Sequence, residues 1–400
     1  MKLSVGCHSF FMDKKKLQYL SLQLSNLEDV LHLINTLKEE NQDGGYEFTT
    51  AQLHAFANLS YHRKKFNTFS IPKKRRGERI ISAPATPLYC YLLRYINLIL
   101  QSVYVPPRCA TGFIPGKSIV SNAQFHVGKK YVYNIDLKDF FLSISRKQVW
   151  EALQKKPFNW PENVAYLIAS VCSMTSIVEE IKSPERYCLP QGAPTSPILT
   201  NIVCLDLDKE LTELSKRYGV TYSRYADDMS FSSDNNVFSK NGRFQKNLKK
   251  IIRSHNLRIN SSKTRLQHAG QRQEVTGLMV REKVNVNRNY IRSLRNLFYI
   301  WETYGSRAAE SSLSRIYCST RPYKKNAPGL VNVVYGKLMY LKMVKGDTDP
   351  LFQKMFNRFC HLLKTRPVVA KTSYKVQNIE APVLPKTVPE NSPIINSPAQ

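Results

Sequence analysis

The feature of this chain that most constrains its fold is a pair of adjacent aspartates inside a strand-like run. The stretch YSRYADDMSFSS covers residues 222–233 and contains Asp227 and Asp228. Like charges at close range repel each other, and aspartate disfavours strand interiors. The pair therefore predicts a tight turn between two strands, which is either simply exposed to solvent or neutralised by divalent cations.

The cation interpretation requires another carboxylate nearby. Hard cations such as Mg²⁺ prefer carboxylate oxygens, and two ions about 3.5–4 Å apart can activate a hydroxyl and stabilise a departing pyrophosphate. Such a site needs a third carboxylate from a neighbouring strand. Asp136 directly follows the strand-like run YVYNI at residues 131–135 and is the obvious candidate.

The charge of the chain favours a polyanionic partner. It carries 59 Lys and Arg against 30 Asp and Glu, a formal net charge of +29. Such a surplus is typical of proteins that bind nucleic acid or anionic membranes. The membrane interpretation is weaker, because the sequence has no run of about 18 uncharged apolar residues and no recognisable signal peptide. The scattered cysteines form no C-x-x-C pair, which favours reduced thiols in the cytoplasm.

Hydrophobic periodicity and turn residues predict an α+β fold, an antiparallel sheet covered by helices. Helices are expected within 17–60, over 146–181, after the loop that begins at 188, and over 243–256. Strands are expected at 131–136, on both sides of the aspartate pair and at 257–264, with hairpins at 73–82 (Gly77 at the turn) and 273–287.

A basic amphipathic helix is predicted from about residue 289. Apolar residues at helical spacing from Tyr290 to Trp301 share one face, whereas Arg288, Arg292 and Arg295 fall on the other. One face can pack on the protein while the other meets phosphates.

Several segments together resemble the polymerase motifs of reverse transcriptases, in the order that this family has them. The matching segments are NIDLKDFF at 134–141 (motif A), LPQGAPTSP at 189–197 (motif B), YADD at 225–228 (motif C), LRINSSKT at 257–264 (motif D) and VTGLMV at 275–280 (primer grip). The resemblance implies a right-hand polymerase fold with fingers, an antiparallel palm and a helical thumb. A lone DD pair would be weak, but the joint match is specific.

The resemblance also implies a division of the chain. We expect an N-terminal helical extension over 1–62, fingers and palm over 63–282, and a basic, RNA-binding helical thumb over 283–365. The remaining residues, 366–400, contain six prolines without periodicity and are expected to be a disordered or extended tail.

Two further segments resemble signatures of bacterial retron reverse transcriptases. SNAQFH at 121–126 places Asn122 and His126 in an NAxxH pattern, and VTG at 275–277 is similar to the second signature. His126 alone would be read as a structural histidine. Group II intron enzymes share the polymerase motifs but commonly carry a maturase extension, which we do not expect here.

Residue roles are implied by the resemblance. Asp136, Asp227 and Asp228 would hold two Mg²⁺ ions, with Asp228 contributing less directly and the main-chain carbonyl of Leu137 assisting. Lys263, at the lysine position of motif D, would protonate the leaving pyrophosphate. A solvated surface lysine is the alternative for that position.

The nucleotide pocket is implied by the same motifs. Phe141 matches the steric gate that excludes a ribose 2′-OH, although either Phe140 or Phe141 could be a core ring. Gln191 and Gly192 would line the pocket.

Two more contacts complete the predicted pocket. Tyr225 and Ala226 would lie against the primer end and the incoming nucleotide. Arg79 would clamp the triphosphate, with the basic run at 73–76 as an alternative.

The implied partners are a cognate structured noncoding RNA, its RNA–DNA product, dNTPs and an effector protein of a defence system. Asn122, His126, Arg288, Arg292 and Arg295 are the expected RNA-binding residues. Two alternatives stay open. One is a group II intron-like or defence-associated reverse transcriptase with different priming, and the other is a non-catalytic RNA-binding scaffold.

Overall fold

The computed structural model describes most of the chain between residues 12 and 364. The described ranges are 12–41, 47–58, 65–73, 77–175, 187–320 and 327–364. The basic residues at 74–76 and the Pro-rich tail at 366–400 therefore lie outside the described residues, and their predicted roles stay predictions.

Three short helices open the fold: α1 (Lys14–Leu22), α2 (Leu27–Glu40) and α3 (Thr50–Ala57). Capping boxes begin α2 at Asn26 and α3 at Thr49, which satisfies backbone N–H groups that the first helical turn leaves unpaired. Their buried leucines and valine join the same hydrophobic cluster as the rest of the first two thirds of the chain, so these helices are packed into the main core.

A basic hairpin forms, but its strands span 66–84 and not the predicted 73–82. Strands β1 (Phe66–Pro72) and β2 (Glu78–Pro84) pair antiparallel over their whole length, and Gly77 follows the turn with a positive φ of 91°. Most of β1 is exposed, whereas Phe66 at its start and Ser82 on β2 are buried.

A four-stranded antiparallel sheet carries the aspartates. It contains β3 (Tyr131–Asp136), β6 (Thr221–Tyr225), β7 (Asp228–Ser233) and β8 (Arg265–His268) in the order β6-β7-β3-β8. The prediction of strands on both sides of the aspartate pair is confirmed, because β6 and β7 are joined by a two-residue turn. This sheet and its helices confirm the α+β class.

Helices pack on this sheet and on one another. They are α4 (Pro87–Val103), α5 (Ile119–Gln124), α6 (Arg146–Leu153), α7 (Glu162–Cys172), α8 (Ser196–Val203), α9 (Leu205–Arg217) and α10 (Arg243–Ser254), with a short 3₁₀ helix at Phe141–Ser143. A second small hairpin pairs β4 (Met174–Thr175) with β5 (Tyr187–Cys188).

The prediction that 146–181 is helical is confirmed only in part, because α6 and α7 are separated by a non-helical segment. Residues 176–181 lie outside the described residues. The chain leaves α6 at Leu153 and starts α7 at Glu162, because Pro157 and Pro161 lack the N–H groups that a continuous helix needs. Beyond Cys172 the chain enters β4 and not a longer helix.

The predicted strand at 257–264 is wrong in position. Within it only Ile259 makes a β-bridge, to Leu137. The N–H groups of Lys263 and Thr264 both donate to the carbonyl of Asn260, at 3.2 Å, which closes a turn before β8 begins.

The last described part forms a second hydrophobic cluster. A small sheet of β9 (Glu274–Val275), β10 (Leu278–Val280) and β11 (Val284–Asn285) replaces the predicted single hairpin. It packs with α11 (Arg288–Thr320), α12 (Leu330–Lys345) and α13 (Pro350–Lys364). The predicted boundary between palm and thumb at 282/283 stays a prediction. The second hydrophobic cluster extends to both sides of it, because Val275 also belongs to this cluster.

The long helix α11 is interrupted at Gly305, whose φ of 82° breaks the helical backbone. Leu294, Leu297, Phe298 and Trp301 are buried on one side of its first half, which confirms the predicted apolar face. Among the described helices, none is long and apolar enough to cross a membrane.

Candidate active site

Three aspartates meet at one edge of the four-stranded sheet. Asp136 at the end of β3 is directly paired with Asp228 at the start of β7. Asp227 occupies the β6–β7 turn, and its carbonyl accepts a hydrogen bond from the N–H of Leu137 at 3.1 Å. Since neighbouring strands lie about 4.8 Å apart, this pairing brings the three aspartates to one edge of the sheet, as the sequence predicts. They lie close enough that the charge of Asp136 raises the pKa of the other two.

Asp136 has two side-chain partners. Lys263 Nζ donates to Asp136 Oδ1 at 2.8 Å, and Asn260 Nδ2 donates to Oδ2 at 3.1 Å. Asp136 is buried, whereas Lys263 keeps 62% of its side chain exposed. The turn that displaces the predicted strand at 257–264 is thus what carries Lys263 and Asn260 to the carboxylate.

Desolvation and the proximity of like charges both raise the pKa of the other two aspartates. Desolvation by the surrounding atoms, followed by the neighbouring carboxylates of Asp227 and Asp136, raises the pKa of Asp228 to about 6, although Asp228 keeps exposed surface. Burial also raises the pKa of Asp227, with a further contribution from Asp136, while Lys263 and Arg79 oppose the rise. Negative charge at this edge is therefore costly until a cation joins it.

The donor set fits a hard divalent cation. Within the described ranges no three His, Cys, Asp or Glu side chains form a ready-made metal site, and Lys263 is paired with Asp136. Yet three carboxylates at one sheet edge offer the oxygen ligands that Mg²⁺ prefers. A bound cation would also relieve the repulsion that, after desolvation, contributes to the raised pKa of Asp228.

Two phenylalanines follow Asp136, and the structure separates them. Phe140 is buried with 4% of its surface exposed, while Phe141 is half-buried in the 3₁₀ helix. The ring of Phe141 lies 6.2 Å from that of Phe113, which is exposed. Phe140 is therefore the core ring, and Phe141 is the one with surface free to face a ligand.

The loop before α8 is joined to the basic hairpin. The carbonyl of Gln191 accepts a hydrogen bond from the N–H of Ser82 at 2.9 Å. A Cβ on Gly192 would lie 3.0 Å from both Ile81 Cγ2 and the Ser82 carbonyl oxygen, so only glycine permits this approach. Arg79 lies on the same strand as Ser82, β2, and its positive charge opposes the rise in the pKa of Asp227.

The turn itself is strained and closely packed. Ala226 has a φ of 57°, a left-handed conformation that costs a residue with a side chain roughly 1–2 kcal/mol. A Cβ on Gly112 would lie 2.5 Å from the backbone nitrogen of Ala226. Ala226 is buried and Tyr225 is half-buried, so Tyr225 alone of the two offers side-chain surface.

A sequence profile identifies the family of this chain. The profile described as reverse transcriptase (RNA-dependent DNA polymerase) matches residues 71–288, more than half of the chain, and spans all three aspartates. The chain belongs to the reverse transcriptase family.

Curated relatives narrow the family. The chain is 34% identical over 251 residues to the retron Mx65 reverse transcriptase of Myxococcus xanthus, covering 60% of this chain and 58% of that one. It is 32% identical over 265 residues to the retron Mx162 enzyme of the same organism, covering 59% and 54%. It is 30% identical over 234 residues to the retron Ec86 reverse transcriptase of Escherichia coli, covering 58% and 68%.

This reverse transcriptase is therefore of the retron type, although it spans little more than half the length of the two Myxococcus relatives. Among solved structures, telomerase from Candida albicans in complex with a fragment of telomeric RNA aligns with a TM-score of 0.41. That match has 12% identity and covers 74% of this chain and 63% of that one. The similarity is low, and the fold assignment depends on the family profile.

The retron signature residues of this reverse transcriptase lie inside it. Asn122 and His126 have no exposed surface. His126 Nδ1 and Nε2 each lie 2.7 Å from a serine hydroxyl, of Ser232 on β7 and Ser223 on β6. The expectation that Asn122 and His126 contact RNA is corrected by this burial: His126 holds together the two strands that carry the aspartate turn.

The arginines of α11 are placed as expected. Arg288, Arg292 and Arg295 are exposed, on the side of the helix away from the second hydrophobic cluster. Their role in RNA binding stays a prediction, and their exposure makes them available for it.

Two residues that pack against the aspartate turn are not predicted from the sequence. Gly112 is one, and the fully buried Arg224 inside the YSRYADD stretch is another. A charged residue at an inward-facing strand position was the available signal for Arg224, because a buried charge requires a partner. The partner, Asp208, sits on a helix and follows no recognisable spacing.

Proposed function

We propose that this chain is an RNA-directed DNA polymerase that synthesises the branched RNA–DNA of a retron. The observation that carries the proposal is the convergence of Asp136, Asp227 and Asp228 at one sheet edge of a retron-type reverse transcriptase. The exposed arginines of α11 and the net charge of +29 support a nucleic-acid template.

The reaction is attack of a primer hydroxyl on the α-phosphate of a dNTP, with release of pyrophosphate. Asp136 and Asp227 would hold two Mg²⁺ ions, with Asp228 and the Leu137 carbonyl assisting. When bound, such ions lower the pKa of the attacking hydroxyl and neutralise charge on the phosphates.

Lys263 is the proposed proton donor to the pyrophosphate. Its ammonium group already lies 2.8 Å from Asp136 Oδ1, so it reaches the reacting centre from the turn before β8. An ammonium with 62% of its side chain exposed can reorient toward a departing oxygen without loss of packing.

The nucleotide pocket is proposed between the β1–β2 hairpin and the 3₁₀ helix. Arg79 would contact the triphosphate, because its charge already acts on Asp227. Gln191 and Gly192 would form the floor, and the Phe141 ring would exclude a ribose 2′-OH. Tyr225 would lie against the primer end.

The retron character sets the start of synthesis. We propose that the enzyme recognises a structured noncoding RNA through the α11 arginines and the surrounding helices. Synthesis would then start from the 2′-OH of an internal guanosine, which yields a branched product. RNA of this kind is read mainly by shape and phosphate contact. We place this activity in the bacterial cytoplasm, in an anti-phage defence system with an effector protein.

The test is to purify the protein expressed with its native flanking DNA and to analyse the bound nucleic acid. Samples are treated with RNase, with DNase and with a 2′,5′-debranching enzyme, and Asp227→Asn serves as the inactive control. The proposal predicts DNA whose mobility changes on debranching and which is missing from the variant.

Two other outcomes separate the alternatives. Unbranched DNA from the wild type would indicate a reverse transcriptase that starts from a 3′-OH or a protein. RNA alone from both proteins would indicate an RNA-binding scaffold and contradict the proposal.

A further inference from the structure

A fully buried ion pair lies behind the aspartate turn and takes no part in the proposed reaction. The side chains of Arg224 on β6 and Asp208 on α9 have no exposed surface. Arg224 Nε donates to Asp208 Oδ1 at 2.8 Å, and Nη2 donates to Oδ2 at 2.6 Å. The Tyr222 hydroxyl donates to Asp208 Oδ1 at 2.8 Å. This two-point contact fixes the plane of the guanidinium group.

The third nitrogen of Arg224 reaches the turn. Nη1 donates to Asn201 Oδ1 on α8 at 3.0 Å and to the carbonyl oxygen of Ala226 at 3.3 Å. That carbonyl belongs to the peptide group that joins Ala226 to Asp227. One guanidinium therefore connects two helices to the peptide plane that precedes the first aspartate of the turn.

The same peptide region is held from its other side. Asn201 Nδ2 donates to the carbonyl of Gly112 at 2.9 Å, and Gly112 leaves no space for a side chain against the Ala226 nitrogen. The N–H of Thr111 donates to the carbonyl of Arg224 at 2.9 Å. The left-handed Ala226 is thus clamped between Arg224 and the loop that contains Gly112.

Stability alone does not account for this ion pair. Replacing a buried ion pair by apolar side chains is often neutral or stabilising, because desolvation of both charges offsets their attraction. The contact that points to a further role is the hydrogen bond from Arg224 Nη1 to the Ala226 carbonyl in the aspartate turn. If the Ala226–Asp227 peptide rotated, the side chains of Asp227 and Asp228 would point elsewhere.

We propose that Arg224 is a positioning residue that aims Asp227 and Asp228 at the cation site by fixing the Ala226–Asp227 peptide plane. The identity of that cation site rests on the proposed function. Arginine is required, because the three N–H donors of a lysine sit on one nitrogen, which cannot reach both Asp208 and Ala226.

The test compares Arg224→Lys with Tyr222→Phe. Tyr222→Phe is the matched control, since it also removes a hydrogen bond to Asp208 but leaves the contact to Ala226 intact. Mn²⁺ binding to the protein without nucleic acid is measured by electron paramagnetic resonance. The Mg²⁺ concentration for half-maximal RNA-templated extension, kcat, and KM for dNTP are measured in parallel.

The inference predicts that Arg224→Lys weakens Mn²⁺ binding and raises the Mg²⁺ midpoint, each roughly tenfold, as loss of support behind metal ligands typically does. kcat should fall, while KM for dNTP should stay within about threefold, because the nucleotide pocket is untouched. Tyr222→Phe should match the wild type. Wild-type Mn²⁺ affinity in folded Arg224→Lys overturns the inference.

A second variant covers a failure of Arg224→Lys to fold. Arg224→Gln with Asp208→Asn removes both charges together and so leaves no unpaired buried charge. A glutamine is too short to reach Ala226, so the same loss of Mn²⁺ affinity is expected, and wild-type affinity would refute the role.

Failure of the proposed function gives a different pattern. If the wild type makes no DNA on an RNA template but Mn²⁺ affinity still drops in Arg224→Lys, the positioning role stands and the polymerase assignment does not. If the wild type makes DNA and both variants bind Mn²⁺ normally, only the positioning role is wrong.

Discussion

Gly192 lies so close to Ser82 that a Cβ at Gly192 would be 3.0 Å from the Ser82 carbonyl oxygen. The φ of Gly192 is +136°, which also disfavours any residue with a side chain. This close approach couples the loop of the proposed nucleotide pocket to the basic hairpin that carries Arg79.

Gly192→Ala should separate the loop from the hairpin. The new methyl group displaces β2 and breaks the hydrogen bond from Ser82 N–H to the Gln191 carbonyl. We expect KM for dNTP to rise roughly tenfold and the free energy of unfolding to fall by about 1–2 kcal/mol. Steady-state extension kinetics and chemical denaturation measure both.

The control is Gly219→Ala. Gly219 also has a positive φ, of 63°, but a Cβ there would meet nothing within 4 Å. It should lose similar stability and keep the wild-type KM. An equal rise of KM in both variants would contradict the coupling.

Phe141→Ala should admit ribonucleotides. With the half-buried ring removed, a 2′-OH meets no obstacle in the proposed pocket, so the preference for dTTP over UTP should fall by at least about tenfold. Competition between the two nucleotides on one RNA template measures the ratio.

Phe140→Leu is the matched control for that substitution. Because Phe140 is buried, its replacement should cost stability, about 1 kcal/mol, without altering the sugar preference. If Phe140→Leu changed the preference and Phe141→Ala did not, the assignment of the two rings would be reversed.

Replacing Arg288, Arg292 and Arg295 by glutamine should weaken RNA binding in a salt-dependent way. Each lost phosphate contact reduces the slope of log affinity against log salt by roughly 0.7–0.9. We therefore expect the slope to fall by about 2–3 in a filter-binding titration with a structured RNA.

The corresponding control is glutamine at Lys209, Lys216 and Arg217. These residues are exposed on α9, and their replacement removes the same number of positive charges from another surface. An identical reduction of the slope in both triple variants would show that net charge alone matters, and would contradict an RNA-binding site on α11.

His126 makes the stability of the protein sensitive to acid. Burial lowers the pKa of His126 from its ordinary 6.5 to about 3, so below pH 6.5 the unfolded chain takes up a proton that the folded chain refuses. The contribution of neutral His126 to the free energy of unfolding is therefore fully present above about pH 6.5 and is lost as the pH falls toward 3. Between pH 7.5 and pH 5 the loss is about 2 kcal/mol.

Denaturation of the wild type and His126→Gln at both pH values isolates this contribution. Glutamine can hydrogen-bond to the serines of β6 and β7 but does not titrate, so all other acid effects cancel in the difference. Equal pH dependence of the two proteins would contradict a neutral, buried His126.

The sequence predicts much of the site because each of its motifs is a short, local pattern. Turn chemistry placed Asp227 and Asp228 between two strands, and the end of a strand placed Asp136. Family spacing chose Phe141 over Phe140, and the burial of the two rings agrees with that choice.

What the sequence does not predict depends on contacts between distant segments. The burial of His126 follows from two serines about 100 positions away, so an isolated motif could not distinguish RNA contact from a structural role. The same holds for Arg224, whose partners lie on α8 and α9. The turn that replaces the predicted strand at 257–264 is held against β3 by another such contact, in which the Asn260 N–H donates to the distant carbonyl of Asp136 at 2.8 Å.

Incorporation of dNTPs on an RNA template, compared between the wild type and Asp227→Asn at matched Mg²⁺, tests the central claim most directly. Asp234→Asn is the control, since Asp234 follows the opposite end of β7. We predict loss of at least about a thousandfold in Asp227→Asn and near wild-type activity in Asp234→Asn. Undiminished incorporation in Asp227→Asn would contradict an active site at the aspartate turn.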